Sequence, residues 1–478
     1  MNPGFWSLAR SAPELPLVFE GQRWWRAGEV LGRSRRWGWW LRQQGLLPGG
    51  WLWLCGPVGI DQLTALLAAL EGGYAVSIVP PHRGWQELLA CYPQARLVDL
   101  PTGEEAERQL ADLPDSPPPT RRAGQRVFFG SGSGGLPQAV LRPFSEHPPE
   151  LLCQLAAQHL NAVCGIRRGQ QLRHLVVSPP GYSASLLWCS DHLLLGHSLV
   201  LAEGAGPQRI LELIEEHQIV STLMVPTHFY RLLGLPDCVR SAHRLDSLRY
   251  VVHTGARCPL EVKRQMLQWW GPVLYEVYGA AEGAGTRATP QEWLERPGTV
   301  GRCYGRIRVQ RPDGTCCGPG EVGEVWLRSG RSFVAVGDRG WLDADDYLFL
   351  QGRSDEVIIT GGVKVSPAEV EAVLVGHPAV REALVGPRDD PEWGQRVHAW
   401  LELVPGSCPA TVQGELERLC GQRLAGPQRP RSWEVRPELP RLPWGKLDRQ
   451  ALLSASPSGP GRISQQGPPH DQDRSQPL

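Results

Sequence analysis

Lysine is nearly missing from this chain of 478 residues. Only three of its 49 basic residues are lysine, and the others are arginine. Asparagine occurs only twice, and we interpret both scarcities as the codon usage of a GC-rich genome. A compact ammonium group and a planar guanidinium are not interchangeable. Lys263, Lys364 and Lys446 are therefore candidates for roles that arginine cannot fill.

The chain also lacks net charge, because 49 acidic residues balance the 49 basic ones. A dedicated nucleic-acid-binding protein would carry a basic excess, so no nucleic-acid partner is expected. The 12 cysteines form no CxxC pair, which argues against a structural zinc site. Neither a secretory signal nor a membrane-length apolar run is found. We expect a soluble, cytoplasmic protein with reduced thiols and no integral membrane segment.

The pattern of apolar segments predicts the fold class. Apolar runs alternate with helix-like segments over residues 1–125 and 151–270, which predicts a largely parallel sheet covered by helices. Turn dipeptides and short β runs in residues 297–350 predict antiparallel structure. We expect an α/β and α+β multidomain protein. Its predicted parts are a large N-terminal domain of α/β subdomains with a β-rich subdomain, 1–352; a small mobile α+β C-terminal domain, 353–455; and a disordered tail, 456–478, with little to bury.

The segment FFGSGSGGLP, residues 128–137, joins an apolar strand to a run of glycine and serine. Glycine lets backbone N–H groups approach an anion closely, and serine hydroxyls donate from the side. The segment is therefore a candidate phosphate loop. No Gly-Lys-Ser/Thr follows it, so it is not a Walker loop, and Pro137 interrupts the helix start of a dinucleotide fingerprint. Taken alone, the segment is also compatible with a flexible surface loop.

Four further segments follow in order, and the five together carry a resemblance. They are VLYEVYGAAEG (273–283), VAVGDRGWLDADDY (334–347), QGRSDEVIITGGVKVSPAEVE (351–371) and RLPWGKLDRQAL (441–452). The set resembles the AMP-forming adenylating superfamily of acyl-CoA synthetases, peptide-synthetase adenylation domains and firefly-type luciferases, and is most like the acyl-CoA ligases. The resemblance implies that a carboxylic acid attacks ATP to give acyl-AMP and pyrophosphate, and that the thiol of coenzyme A then takes the acyl group. ATP, Mg²⁺ and coenzyme A are the implied cofactors.

The resemblance also implies a role for individual residues. Tyr278 would stack on adenine, Asp338 would accept hydrogen bonds from the ribose hydroxyls, and Arg353 would contact ribose or phosphate. Glu282 would bind Mg²⁺, which prefers carboxylate oxygens. Lys446 would be the catalytic lysine that bridges the attacking carboxylate and the α-phosphate. The full implied ATP- and AMP-binding set is Ser131, Gly132, Ser133, Gly135, Tyr278, Gly279, Asp338 and Arg353.

Other implied roles concern the acyl group, the thiol and the domain movement. Asp355 falls on the hinge at which the small domain pivots. The implied coenzyme A tunnel residues are Gly361, Gly362 and Lys364. The implied acyl-pocket residues are His253, Thr254 and Gly255. For His228, a structural role with satisfied hydrogen bonds is as good an interpretation as a place in the acyl pocket.

Four positions depart from the family pattern. Gly134 and Ala281 stand where relatives have threonine, Gln138 where they have lysine, and Tyr182 where many have histidine. Three alternatives stay open beside the acyl-CoA ligase: transfer to a carrier-protein thiol, an o-succinylbenzoate-type ligase, and a degenerate nucleotide-binding homologue without catalysis, which Gly134, Gln138 and Ala281 motivate. A role in fatty acid metabolism and a homodimer are further expectations.

Overall fold

The computed structural model describes residues 4–79, 89–117, 122–130, 138–140, 147–256, 258–279, 285–303, 306–353, 358–441 and 447–454. The chain divides into two compact units. Of the described residues, those from 4 to 353 and residue 441 belong to the first unit, and those of 358–440 and 447–454 belong to the second. Each unit is described by itself below.

Elements of the first unit are numbered in chain order. Its strands are β1 (Pro16–Glu20), β2 (Arg23–Arg26), β3 (Trp51–Cys55), β4 (Ala75–Val79), β5 (Ala95–Asp99), β6 (Gln125–Arg126), β7 (Phe128–Gly130), β8 (Gln138–Val140), β9 (Arg173–Val176), β10 (Ser198–Leu201), β11 (Ser221–Met224), β12 (Tyr250–His253), β13 (Leu274–Tyr278), β14 (Thr286–Ala288), β15 (Thr299–Arg302), β16 (Ile307–Gln310), β17 (Gly323–Ser329), β18 (Ser332–Leu342) and β19 (Tyr347–Arg353). Its helices are α1 (Phe5–Ser11), α2 (Ala27–Gln43), α3 (Ile60–Glu71), α4 (Gly103–Leu110), α5 (Glu150–Cys164), α6 (Ser183–Leu194), α7 (Pro207–Glu216), α8 (Pro226–Leu233), α9 (Asp237–Ser241), α10 (Leu260–Trp270) and α11 (Pro290–Glu295).

The main sheet of the first unit has a parallel half and an antiparallel half. Its strand order is β16-β17-β18-β19-β15-β14-β13-β12-β11-β9-β10-β1-β2. The strands from β13 to β1 in this order all run parallel. Those from β14 to β16 pair antiparallel, and β2 pairs antiparallel with β1. Because parallel strands end at one edge of a sheet, the segments after β9, β11, β12 and β13 emerge side by side.

Two smaller sheets complete the first unit. The strands β5-β3-β4-β6 form a parallel sheet. The strands β7 and β8 pair antiparallel, with Gly130 opposite Gln138. This pairing places the two ends of the glycine- and serine-rich segment beside each other. Residues 131–137 themselves lie outside the described ranges.

The first unit is built on two main hydrophobic cores. The first core joins the two parallel sheets, because it contains Leu54 and Val76 from one and Leu199 and Val252 from the other. All residues of α3 are buried, including the polar side chains of Asp61, Gln62, Thr64 and Glu71. The second core lies on the other face of the main sheet and contains Val251, Phe229, Met266, Trp270 and Trp293. Consecutive residues of β12 thus face different cores, which is the ordinary alternation of a strand.

The second unit is a smaller α+β body. Its strands are β20 (Ile358–Thr360), β21 (Val363–Val365), β22 (Val380–Asp390), β23 (Gly394–Leu403) and β24 (Ser432–Arg436), and its helices are α12 (Pro367–Val375), α13 (Pro409–Arg423), a 3₁₀ turn (Gly426–Gln428) and α14 (Arg449–Ser454). The sheet order is β21-β20-β23-β22, and β24 pairs with β23. The two units together have the α/β and α+β character that the sequence predicts. None of the helices in the described ranges has the length and apolar character that a membrane crossing requires.

Candidate active site

The carboxyl edge of the parallel strands carries several of the residues that the sequence singled out. Tyr278 ends β13 and is followed by Gly279, and His253 ends β12 and is followed by Thr254 and Gly255. In open α/β sheets the crevice outside the carboxyl ends of the strands is the usual ligand site. The topology therefore brings two predicted groups of residues to one edge, although about 25 positions separate them in the chain.

Tyr278 and Asp338 are joined by a direct hydrogen bond. The phenolic O–H of Tyr278 donates to Oδ2 of Asp338 over 2.7 Å. Asp338 lies on β18 opposite Arg353 on β19, and both Tyr278 and Asp338 are half-buried. An aromatic ring beside a carboxylate suits the binding of a nucleoside. The ring can stack on the base, and the carboxylate can accept hydrogen bonds from the ribose hydroxyls. Three predicted nucleotide-binding positions thus meet across the antiparallel half of the sheet.

Gly279 lies where two backbone segments approach closely. A Cβ atom at this position would come within 3.1 Å of the Cα of Gly285, and one at Gly285 would come within 2.2 Å of the Tyr278 carbonyl oxygen. A side chain at either position would force the segments apart. The glycines therefore let the backbone that follows Tyr278 and the backbone that precedes β14 lie close together.

The three predicted acyl-pocket residues lie in different surroundings. Gly255 is exposed with φ of +88°, a left-handed conformation that favours glycine, and Thr254 is half-buried. His253 is fully buried, with its ring centroid 5.4 Å from that of Phe229. Burial, and then the positive charge of Lys263, hold the pKa of His253 well below its ordinary value. The exposed edge is thus formed by Thr254 and Gly255, and the role of all three residues in acyl binding stays a prediction.

His228 has a structural partner. The backbone N–H of Val225, the residue between β11 and α8, donates to His228 Nδ1 over 3.1 Å. Burial and the charge of Arg231 lower the pKa of His228 to about 4. The imidazole is therefore neutral and satisfies one backbone group at the start of α8. The structure favours the structural interpretation that the sequence left open.

A small cavity lies near the start of α6. Its volume is about 20 Å³, enough for roughly one water molecule. Tyr182, which the sequence marks as a departure from histidine, borders it and is 37% exposed. The cavity is also close to Phe129, whose strand leads into the candidate phosphate loop. The lining residues are Ser77, Val127, Phe129, Gly181, Tyr182, Ser183 and Leu186.

In the second unit, Gly361 and Gly362 form the two-residue turn of the β20–β21 hairpin. Their φ angles are +54° and +80°, which suits the type of hairpin turn that needs two left-handed residues. A Cβ atom on Gly361 would also lie 2.6 Å from the Trp393 ring. The hairpin alone thus explains both glycines, and their place along a coenzyme A tunnel stays a prediction.

Several predicted residues cannot be placed. For Arg353 and Lys364 the structure describes the backbone but not the side chain. The other predicted residues outside the described ranges are Ser131, Gly132, Ser133, Gly135, Glu282, Asp355 and Lys446. Within the described ranges, no group of three or more His, Cys, Asp or Glu residues is arranged to hold a metal ion. The predicted single carboxylate ligand, Glu282, belongs to the part that is not described.

One pair of charged residues near the site had no role assigned from the sequence. Lys263 Nζ lies 2.6 Å from Glu276 Oε2, and both side chains are buried. Lys263 also lies 4.8 Å from the centroid of the Trp293 ring. The scarcity of lysine was the only sequence signal for Lys263. The pair itself leaves no local pattern in the sequence, because Lys263 lies on helix α10 and Glu276 lies on strand β13.

Comparisons with known proteins agree with this architecture. The model of the AMP-binding enzyme family matches residues 95–335, which is half of the chain, and the model of the AMP-binding enzyme C-terminal domain matches residues 369–446. A 2-succinylbenzoate–CoA ligase of Bacillus subtilis strain 168 is 29% identical over 354 residues, covering 69% of this chain and 68% of the relative. A p-hydroxybenzoic acid–AMP ligase of Mycobacterium tuberculosis is 27% identical over 470 residues, covering 91% of this chain and 65% of the relative.

The solved structure of o-succinylbenzoate CoA synthetase from Bacillus subtilis, in complex with its acyl-adenylate intermediate, has the same fold. Its TM-score is 0.67 at 21% identity, and the match covers 95% of this chain and 98% of the other. The chain belongs to the AMP-binding enzyme family. The superfamily and the fold class predicted from the sequence are confirmed.

Proposed function

We propose that this chain activates a carboxylic acid with ATP and then transfers the acyl group to the thiol of coenzyme A. The observation that carries this proposal is the Tyr278–Asp338 pair, which offers a ring and a carboxylate at the carboxyl edge of the parallel strands. The enzyme class, an acid–thiol ligase that forms AMP, is the one predicted from the motifs. It agrees with curated relatives that are named CoA ligases.

The nucleotide is held by residues of the first unit. Tyr278 stacks on adenine, and Asp338 accepts hydrogen bonds from the ribose hydroxyls. Gly279 leaves room for the backbone of Gly285 to lie beside it. The serines and glycines of 131–135 contact the phosphates, and Arg353 contacts ribose or phosphate. Glu282 holds Mg²⁺, which would neutralise charge on the phosphate oxygens.

The transfer chemistry needs a group that moves. Lys446 bridges the acid carboxylate and the α-phosphate during adenylation, and a change at the Asp355 hinge then brings Gly361, Gly362 and Lys364 to the thiol. Thr254, Gly255 and His253 belong to the acyl side. These assignments follow from the motif positions.

The first acids to test are aryl carboxylic acids, including 2-succinylbenzoate, because several relatives are named as ligases of that acid. Fatty acids form the comparison set, since a relative named as a fatty acid–acyl-carrier-protein ligase also matches, at 27% identity. A role in fatty acid metabolism, a cytoplasmic location and a homodimer stay predictions.

The test is pyrophosphate release from ATP and Mg²⁺ with a panel of acids, with and without coenzyme A. Release that depends on one class of acid, and that turns over only with coenzyme A, supports the ligase and names its substrate class. Turnover with a pantetheine-bearing carrier protein but not with coenzyme A would move the acceptor to the carrier protein. ATP binding without release for any acid would favour the degenerate homologue, in which Gly134, Gln138 and Ala281 have cost the enzyme its chemistry.

Tyr278→Phe is expected to weaken ATP binding while preserving turnover. The ring remains, but Asp338 loses the hydrogen bond that fixes its carboxylate, so the KM for ATP should rise about fivefold, or about 1 kcal/mol. The value of kcat at saturating ATP should change little, because the lost contact orients a ribose ligand and does not touch the reacting atoms.

The matched control for this variant is Tyr275→Phe, on the same strand but three residues away and therefore on the opposite face. Tyr275 packs against the first core, so this change should leave the KM for ATP within about twofold of the wild-type value. An equal rise in both variants would show that the hydrogen bond to Asp338 is not what matters.

A further inference from the structure

Lys263 and Glu276 form an ion pair inside the first unit. The ammonium nitrogen lies 2.6 Å from Glu276 Oε2, and Lys263 is 0% and Glu276 6% exposed. Burial lowers the pKa of Lys263, while the carboxylate of Glu276 acts in the opposite direction by attraction and hydrogen bonding. Buried ion pairs contribute little net stability over apolar side chains, which points to a more specific role for this pair.

The location of Glu276 connects the pair to the nucleotide site. Glu276 lies two residues before Tyr278 on β13, so both side chains leave the same face of the strand. In the sheet, Glu276 stands between His253 of β12 and Ala288 of β14. Its carboxylate therefore ties the last residues of β13 to helix α10, directly before the tyrosine that meets Asp338.

His253 adds a polar group to the same place. Its Nε2 atom is 3.6 Å from Glu276 Oε2, beyond hydrogen-bond distance, and neither ring nitrogen has a hydrogen-bond partner among the described residues. The carboxylate is thus committed to Lys263, and the neutral imidazole packs beside it. The carboxylate therefore links β13 to α10 through Lys263.

The enclosure explains why this residue is a lysine. Trp293 covers the ammonium, with 4.8 Å between Nζ and the ring centroid, which is the geometry of a cation–π contact. A guanidinium is larger, planar and built for two parallel hydrogen bonds, whereas an ammonium is a compact point charge. In a chain whose basic residues are nearly all arginine, this site is one that arginine would not fit without displacing its neighbours.

We propose that Lys263 and Glu276 are positioning residues for the nucleotide site, which hold the carboxyl end of β13 so that Tyr278 meets Asp338. The proposal rests on the proposed function, because it gives the pair a role in ATP binding. Neither residue is assigned a contact with ATP. The pair acts through the backbone of β13.

The test is direct binding of ATP with Mg²⁺ to the full chain, by titration calorimetry well below the unfolding temperature of each variant. Lys263→Met keeps an unbranched side chain that is one atom shorter and removes its charge. Because Tyr278 is then held less well, the Kd for ATP should rise about tenfold. Glu276→Gln keeps the shape of its side chain and should weaken binding in the same direction, and it decides the question if Lys263→Met does not fold.

Met266→Ala is the matched control. Met266 lies on α10 about one turn after Lys263 and is fully buried in the second core. Its truncation should therefore lower the unfolding temperature through lost packing, while the ion pair between α10 and β13 stays in place. The Kd for ATP should stay within about twofold of the wild-type value. A merely structural role of the pair predicts that all the variants lose stability and none loses affinity.

The outcomes separate the two proposals. If the wild-type chain binds ATP and both pair variants bind it equally well, the positioning role is wrong while the proposed function stands. If Met266→Ala weakens binding as much as Lys263→Met, general loss of stability explains the effect and the positioning role again fails. If the wild-type chain does not bind ATP, the proposed function fails, and the role of the pair fails with it.

Discussion

Lys446→Ala is expected to lower acid-dependent pyrophosphate release by about 10²- to 10³-fold. Negative charge builds on the oxygens between the acid and the α-phosphate during adenylation, and a positioned ammonium stabilises it there. Arginine could supply positive charge but not a compact ammonium group, which agrees with the presence of lysine here in a chain that has only three. Since ATP binding relies mostly on other residues, the Kd for ATP should change far less than the rate.

The same variant should keep the second half-reaction. Lys446 is proposed to act on the carboxylate and the α-phosphate, so transfer from synthetic acyl-AMP to coenzyme A should proceed at nearly the wild-type rate. The measurement is thioester formation from acyl-AMP, run beside pyrophosphate release on the same preparation. Equal loss in both half-reactions would indicate a damaged protein and would argue against a specific role in adenylation.

Lys364→Ala is the natural counterpart, because it removes another of the rare lysines from a segment assigned to the thiol. Its expected effect is the reverse: adenylation retained, and a higher KM for coenzyme A. A Lys446→Ala variant that releases pyrophosphate at the wild-type rate would overturn the assignment. So would an adenylation defect confined to Lys364→Ala.

The sequence predicts those parts of the site that depend on local patterns. The motif VLYEVYGAAEG singles out Tyr278, and a strand in a parallel sheet delivers its last residue to the carboxyl edge. Asp338 could be singled out by its motif alone. The hydrogen bond between the two could not, because it depends on how the antiparallel strands β14, β15, β19 and β18 extend the sheet.

The buried position of the His253 ring shows a different limit. The strand YVVH can place its histidine on either face, and only the start of β12 at Tyr250 decides which. A shift of one residue would have turned the ring toward the first core. The Lys263–Glu276 pair could not be predicted from the sequence either. Its members lie on a helix and a strand, and no local sequence pattern determines how these two elements are rotated relative to each other.

A cluster of buried histidines at the amino ends of β9 and β11 was also invisible in the sequence. His174 Nδ1 lies 3.0 Å from Ser221 Oγ, and Ser221 Oγ lies 3.3 Å from His192 Nε2. His192 Nδ1 in turn lies 2.8 Å from His197 Nδ1. Before folding, these residues are four unrelated positions, and His192 and His197 only interrupt an apolar segment. Folding joins them into one chain of hydrogen bonds with almost no exposure to solvent.

This histidine cluster, formed by His174, His192 and His197, predicts steep unfolding in mild acid. Burial lowers the pKa of His174 to about 3 and that of His197 to about 4, and holds that of His192 well below its ordinary value. The geometry agrees, since two Nδ1 atoms at 2.8 Å share a single proton. The first unit is therefore folded with all three imidazoles neutral.

The direction of the pH effect follows from these lowered values. Below about pH 6.5 the unfolded chain takes up protons on its histidines, but the folded chain takes up none on the cluster until about pH 4. The stabilisation is thus complete above pH 6.5 and is lost as the pH falls toward 4. Three such groups remove about 4 kcal/mol per pH unit, against a typical total stability of about 5–15 kcal/mol.

The charged groups around the cluster act in the same direction. Asp191 is fully buried and accepts from Arg126 and from His159. Burial alone would raise the pKa of Asp191, but these two partners outweigh it and the pKa is lowered. A carboxyl group of this kind also stabilises the fold above its ordinary pKa and loses that contribution in acid. It therefore adds to the acid sensitivity at the lower end of the range.

The expected result is cooperative unfolding of the first unit between about pH 4.5 and 5.5, with about three protons taken up by the cluster. The measurement is urea unfolding at a series of pH values, from which the slope of the unfolding free energy gives the total number of protons taken up. The cluster supplies about three of them, and His228 and His253, whose pKa is also lowered by burial, add to the total. His192→Gln removes one titrating ring, so proton uptake should fall by about one.

Ser221→Ala is the matched control, because it breaks the same hydrogen-bond chain and lowers stability without removing a titrating group. If Ser221→Ala reduces proton uptake as much as His192→Gln, or if the wild-type slope between pH 5 and 6.5 is near zero, the buried neutral imidazoles are not the source of acid sensitivity.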